Sequence, residues 1–469
     1  MNAKKNTLQF KLKRNVPLDY ISAFITNLNM QSSIWVLYLA YCGLSLAQIG
    51  LLEGIYHATS IVFEIPSGAL ADLLGRKKSM LLGRICIGIS CVIMLFSKSF
   101  GLFALSFIIQ ALGNNFNSGS EEALVYDSMK YIGQEEHYMR VYGRLNIIIE
   151  VSQGIATVAG GILAEYSYFW CYGACVVIAV LSLLPVLLLT EAPCDRQGKE
   201  RTTVRELVTA HFSACFRILR WDARILKNIL YYSVVFAAQT LLFFYSQQYY
   251  HEYGYNKIEI SLILLAVSLA SCAGAALSEK IYRRLGKKVV ALSTVFIAGS
   301  LISYGFENIG VSVGAFCTAG FFNSVLYPVQ SDSLNQLIPS EQRATLISVN
   351  SLFFSVAMIL LFPAAGALAD HMGLTVVLAG IGLAVLAFAA VFALIVIPFP
   401  VSGQKQRRHR RSQCLRRNDG DPDAVDAPEY RENQDRGDLK HHGPQEGNHC
   451  GDQAVVQSGE KSRSIDGDA

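Results

Sequence analysis

Two carboxylates stand inside long apolar stretches of this 469-residue chain: Glu64, just ahead of Pro66, and Glu150, between Ile149 and Val151. A carboxyl held away from water can exchange a proton near neutral pH, which is the chemistry a proton-coupled carrier needs. The competing reading is fixed pairing, for Glu64 with a neighbouring helix near the proline and for Glu150 with Arg144. Glu121 and Glu122 approach the end of an apolar stretch and read as solvated. A denser constellation runs from Gly68 to Lys78, where small residues, Leu70, Asp72, the turn residue Gly75 and the cations Arg76, Lys77 and Lys78 follow one another. Asp72 sits where a helix should end, so the helix dipole disfavours it unless a cation or a helix N-terminus faces it.

Neutral polar groups also punctuate the apolar stretches. They are Asn27, Asn29 and Gln31; Gln110, Asn114, Asn115 and Asn117; Gln239; and Asn323, Tyr327 and Gln330, with Trp35, Phe243, Phe244 and Phe322 close by in sequence. They could line a hydrated substrate site, or they could be hydrogen-bonded links between helices. No Gly-x-x-x-x-Gly-Lys-Ser/Thr loop is present to bind nucleotide phosphate. The nine histidines form no metal-spaced cluster in a span, and the eleven cysteines form no Cys-x-x-Cys pair. Neither a cofactor, a metal nor an enzyme activity is expected, and nothing calls for nucleic acid.

The elements that must carry these residues are membrane helices. The chain is 52% hydrophobic and 16% charged with positive mean hydropathy, far from the quarter charged of soluble domains. On a ruler of about 20 helical residues per bilayer crossing, twelve spans fit. They divide into a tail (1–16), six helices (17–190), a polar segment (191–224), six more helices (225–400) and a polar tail (401–469) expected to be disordered. The first span is placed at Leu18–Tyr41 and the fourth at Gly101–Tyr126. Lysine and arginine concentrate in alternate loops, which puts both termini in the cytoplasm. The N-terminus lacks the apolar core of a signal peptide.

A pattern of small residue, any residue, leucine, small residue and carboxylate recurs four times. The copies are Gly68–Asp72, Gly161–Glu165, Ala275–Glu279 and Gly366–Asp370, at the ends of spans 2, 5, 8 and 11. Two copies end inside and two outside, as a three-helix unit used four times with alternating orientation would give.

The Gly68–Lys78 stretch, the twelve spans and the repeats together resemble the major facilitator superfamily of secondary transporters over about residues 15–400. Gly68, Leu70, Ala71, Asp72, Gly75, Arg76 and Lys78 match that family's signature, and Leu73 departs from it. The resemblance implies two pseudo-symmetric six-helix bundles around a cavity lined by spans 1, 4, 7 and 10. It also implies a latch of Asp72 and Arg76 with Asp127 and with the start of span 11 near Arg343. The family's drug/proton antiporters often carry Gly-Pro-x-x-Gly-Gly in span 5; here Ala156 and Thr157 replace Gly-Pro while Gly160 and Gly161 remain.

The favoured expectation is a monomeric, drug-efflux-like carrier exporting a small amphipathic solute by proton antiport. A sugar or other metabolite importer and a non-transporting sensor stay open. An organic-anion importer is disfavoured because no mid-cavity cation is found. Short outer loops and the lack of an Asn-x-Ser/Thr acceptor suggest a bacterial inner membrane.

Overall fold

The computed structural model describes residues 2–193, 223–335 and 343–396, together with Thr209, Ser213 and Arg220. The chain clusters into a unit of Met1–Phe399 and a second unit, Pro400–Ala469, outside the described residues. Among the described residues every regular element is a helix. The first half comprises α1 (Asn2–Lys13), α2 (Asn15–Asn27), α3 (Trp35–Tyr41), α4 (Leu46–Leu74), α5 (Arg76–Phe96), α6 (Phe100–Asn117), α7 (Ser120–Tyr131), α8 (Tyr138–Tyr166) and α9 (Tyr168–Leu188). The second half comprises α10 (Ala223–Glu252), α11 (Lys257–Leu285), α12 (Lys288–Ser303), α13 (Ile309–Asn335), α14 (Arg343–Met372) and α15 (Leu374–Val396).

Ten of these helical stretches are long and apolar enough to cross a membrane. Their outward faces fit that solvent. On α9, Val177, Val180, Leu181, Leu184, Leu187 and Leu188 are all exposed, a helical stripe that water would penalise and hydrocarbon would not.

The first and fourth expected spans are the ones missing from the ten, because each is interrupted. In the first, α2 stops at Asn27, a short 3₁₀ turn occupies Met30–Ser33, and α3 restarts at Trp35. Polar residues at 27, 29 and 31 interrupt the apolar run there. In the fourth, α6 stops at Asn117 and α7 restarts at Ser120 through Gly119, whose φ of 70° is left-handed and suits glycine. The asparagines at 114, 115 and 117 also lower the hydropathy of that run.

The halves meet along two antiparallel pairs, α4 with α14 and α8 with α11. One apolar core runs through both halves, including Ile34, Trp35, Tyr245, Phe316 and Phe362.

Candidate functional site

Both pairs are clamped at the same end, and the clamps are copies of the repeated pattern. Helix α4 opens with a capping box, Ser45 accepting from the Gln48 amide at 3.3 Å and Gln48 from the Ser45 amide at 3.1 Å. A helix start still leaves donors without intrahelical partners. Asp370, at the end of α14, accepts from the Leu46 amide at 2.8 Å and the Ala47 amide at 2.9 Å. The approach needs Gly366, since a Cβ there would fall 2.2 Å from the Leu46 carbonyl oxygen.

The second pair repeats this geometry. Helix α11 opens with an Asn256–Glu259 capping box, and Glu165 at the end of α8 accepts from the Lys257 amide at 2.9 Å. A Cβ on Gly161 would lie 2.4 Å from the Ser261 hydroxyl. So the pattern is a docking device: its glycine admits a helix start from the other half, and its carboxylate, four residues on, caps it. Behind the clamps, Trp35 packs edge-on to Phe244 with ring centroids 5.1 Å apart, and Tyr245 reaches the Phe362 carbonyl at 3.1 Å. This end is closed.

At the other end, here called the basic face, a Cβ on Gly68 would meet no described residue within 4 Å. Asp72 and Lys78 are exposed, Leu70 is half-buried, and Glu279 pairs with Arg283 on its own helix at 2.6 Å. Arg76 does form an ion pair with Asp127 of α7. Gly75 has φ 102°, and a Cβ there would fall 2.6 Å from the carboxylate of Glu191. Glu191 accepts from the Lys77 amide at 2.7 Å, while the Lys77 ammonium donates to the carbonyls of Leu187 and Leu189.

Between the halves lies a cavity of about 270 Å³ lined by Glu150, Gln239, Thr240, Phe243, Ser271 and Asn323, among others. Three residues singled out by type and position thus converge: Glu150 from α8, Gln239 from α10 and Asn323 from α13. The carbonyl oxygens of Gln239 and Asn323 are buried without a partner. The other candidates lie elsewhere. Trp35 and Gln31 are buried at the closed end. Asn117 packs against Gly83 of α5 and donates to the Gly113 carbonyl, a role within the first half. Asn114 donates to the Tyr56 hydroxyl at 2.7 Å, and Asn27 accepts from Gln153 at 3.2 Å. Tyr327 is largely exposed and leans on Phe236; Glu64 is exposed on α4.

A sequence profile of the Major Facilitator Superfamily matches residues 20–304 and 284–419. The chain belongs to the major facilitator superfamily. An uncharacterized MFS-type transporter of Bacillus subtilis is 22% identical over 371 residues, which cover 78% of this chain and 90% of that protein. Another from Methanocaldococcus jannaschii is 21% identical over 393 residues, covering 82% and 97%. Among solved structures, the nucleoside transporter NupG superposes with a TM-score of 0.65 at 13% identity, over 84% of this chain and 100% of that one. A bacterial homologue of the human lysosomal transporter Spinster, described as inward-facing and unoccupied, gives 0.63 at 15% identity, over 83% and 96%. These superpositions show a shared fold. The protein is a multi-pass membrane transporter of this superfamily, and its relatives are transporters, not enzymes.

Other features of this superfamily member escape a reading by sequence. A cation is buried in a span after all: Arg84 of α5 is 3% exposed and contacts Glu121 and Ser22. It does not line the cavity between the halves. Asp19, 1% exposed, lies against Glu121. His57 is not isolated either: it faces Glu53 at 3.5 Å and the Ser355 hydroxyl of α14 at 3.1 Å. Glu191, the first residue of the polar segment, binds the start of α5. Arg84, Asp19 and Glu191 meet partners distant in sequence, and so does His57 at Ser355. The local signals were a charged residue in an apolar run (Arg84), an acid at the start of one (Asp19) and the one-turn spacing of Glu53 and His57.

Proposed function

We propose that the protein is a secondary active transporter working by alternating access, exporting a small amphipathic solute by proton antiport as a monomer. The observation that carries this reading is the asymmetry of the four docking devices. Two are fully engaged at one end, while the equivalent glycine at the other end, Gly68, has no described residue within 4 Å of its Cβ position. An inverted-repeat carrier seals one face at a time, and its two seals are built from equivalent parts. In this reading α2 with α3 forms the first of twelve spans and α6 with α7 the fourth. The basic face is cytoplasmic, and the sealed face is the outer one. Asp72 and Gly68 then receive the start of α14 in the opposite state, with the Arg76–Asp127 pair holding α7 against the hairpin.

The cavity supports a cargo with a large apolar part, since Phe243 and Val267 share its wall with neutral hydrogen-bonding groups. Among the described residues Glu150 is its only charged lining group, and it suits a cationic dye better than a sugar. Everted membrane vesicles with an imposed pH gradient, tested with a panel of cationic dyes and sugars, decide the matter. Gradient-dependent dye movement is the expected result. Movement of sugars alone, or of nothing, overturns the export reading.

A further inference from the structure

The cluster around Arg84 does not belong to the cavity or the clamps. It joins three elements of the first half: Asp19 and Ser22 from α2, Arg84 from α5 and Glu121 from α7. One Arg84 terminal nitrogen lies 3.3 Å from each oxygen of the Glu121 carboxyl and 3.4 Å from the Ser22 hydroxyl, which also reaches Glu121 at 3.4 Å. The Asp19 carboxyl lies in hydrogen-bonding contact with that of Glu121. Asp19 is 1% exposed and Ser22 fully buried, while the Glu121 side chain keeps 22% of its surface.

The charges do not balance. Two carboxylates face one guanidinium, which leaves one uncompensated negative charge in a site nearly dry at Asp19. The hydrogen bonding does not balance either. One oxygen of Asp19 is buried without a partner, and so is the Arg84 Nε. Carboxylates only accept, so two of them in contact cannot bond to each other. A proton placed between them balances the charge and lets the two carboxyls bond, making an O–H···O⁻ bond and leaving the triad neutral, while the Arg84 Nε stays without a partner.

Among the described residues the surroundings supply no other counter-charge at Asp19. From α7 come Glu121 and the exposed Glu122; from α8 come Tyr138, Tyr142 and Arg144, the last of these facing Tyr20. Helix α9 packs on α2 and carries no charged residue, and α1 carries Lys4, Lys5, Lys11 and Lys13, of which Lys11 and Lys13 are exposed. The partly exposed Glu121 side chain gives the pair its access to water.

We propose that Asp19 and Glu121 share one exchangeable proton balanced by Arg84, and that this carboxyl pair is the proton-binding site of the transport cycle. The proposal rests on the proton-coupled reading above. Taking up the proton from water adds one positive charge to the triad, and releasing it restores the imbalance. The resulting repulsion acts between α2 and α7. Both are half-helices of interrupted spans, so they can separate without bending a continuous helix.

The test is infrared difference spectroscopy on the purified full-length protein in lipid nanodiscs, titrated from acid to alkaline pH without cargo. The expected result is a protonated-carboxyl band worth one proton per molecule near neutrality, sensitive to deuteration. It should vanish in both Asp19→Asn and Glu121→Gln and persist in Glu150→Gln. Arg84→Met should raise the count from one proton to two, a change that a merely structural cluster would not produce. Thermal melts identify any variant that fails to fold, and the second carboxyl variant then carries the test. A band that survives Asp19→Asn in folded protein, or no such band in the parent, overturns the site. Because no cargo is present, failure of the export reading leaves this result intact. Undiminished pH-driven dye movement in Asp19→Asn, with the band lost, overturns the coupling role alone.

Discussion

Replacing Gly366 by valine should tip the protein out of the state described here, whereas replacing Gly68 should trap it there. At Gly366 the added Cβ would sit 2.2 Å from the Leu46 carbonyl oxygen, where ordinary contact needs about 3.4 Å, so α14 and α4 must part by roughly 1 Å. Overpacking of this kind costs about 1–3 kcal/mol. The same retreat stretches the two Asp370 bonds from 2.8 and 2.9 Å beyond useful length, losing a helix cap of about 1 kcal/mol on an exposed carboxylate. A total near 3 kcal/mol shifts a two-state equilibrium on the order of a hundredfold. At Gly68 the Cβ meets no described residue within 4 Å, so the present state should be untouched and only the opposite one obstructed. Trp35 can report the outcome, because it is buried behind the clamps and Trp170 and Trp221 can be replaced by phenylalanine. Acrylamide quenching in nanodiscs should rise sharply in Gly366→Val and stay at the parental level in Gly68→Val, with transport lost in both. Unchanged shielding in Gly366→Val, or exposure caused by Gly68→Val, would refute the docking argument.

Three further outcomes follow from the same contacts. Gly160→Ala should lower thermal stability by about 1–3 kcal/mol, since its Cβ would fall 2.1 Å from the Met30 carbonyl oxygen; a melt indistinguishable from the parent would contradict the packing. Glu165→Ala should speed amide exchange at Lys257 by removing its acceptor, at a cost near 1 kcal/mol, readable by hydrogen-exchange mass spectrometry on the start of α11. Arg76→Ala should cost less than about 1 kcal/mol in a melt because the pair with Asp127 is partly exposed, yet transport should fall. Parental transport rates would remove that pair from the gating cycle.

Contiguous patterns were legible in the sequence, and convergent ones were not. The four copies ending at Asp72, Glu165, Glu279 and Asp370 could be read because each occupies five neighbouring residues and a helix fixes their relative direction. What they dock against could not be read for the two copies engaged here, since Leu46 and Lys257 lie 324 and 92 positions away from their caps. The breaks in the first and fourth spans had local signals, an asparagine run and Gly119, but hydropathy averaged over a whole span hid them. Of the polar groups expected in the cavity, Gln239 and Asn323 meet there, joined by the proton-exchange candidate Glu150, because α8, α10 and α13 turn those faces inward. Asn117 does not, because Gly83 gives it a niche inside its own half. Helix identity alone cannot distinguish these two cases. Asp19 and Glu121 were the hardest, since their significance lies in a charge balance across three elements.

Glu191 gives the signature turn a mechanical connection that its own residues do not suggest. Its carboxylate holds the first turn of α5, and the chain continues from it into the polar segment between the halves. Hairpin and connector therefore share an anchor point. Tension applied to the connector, by a bound partner or by an inserted domain, would be felt first at Gly75 and then at Arg76. A cut in the connector well beyond Glu191 should leave that anchor in place while releasing the tension.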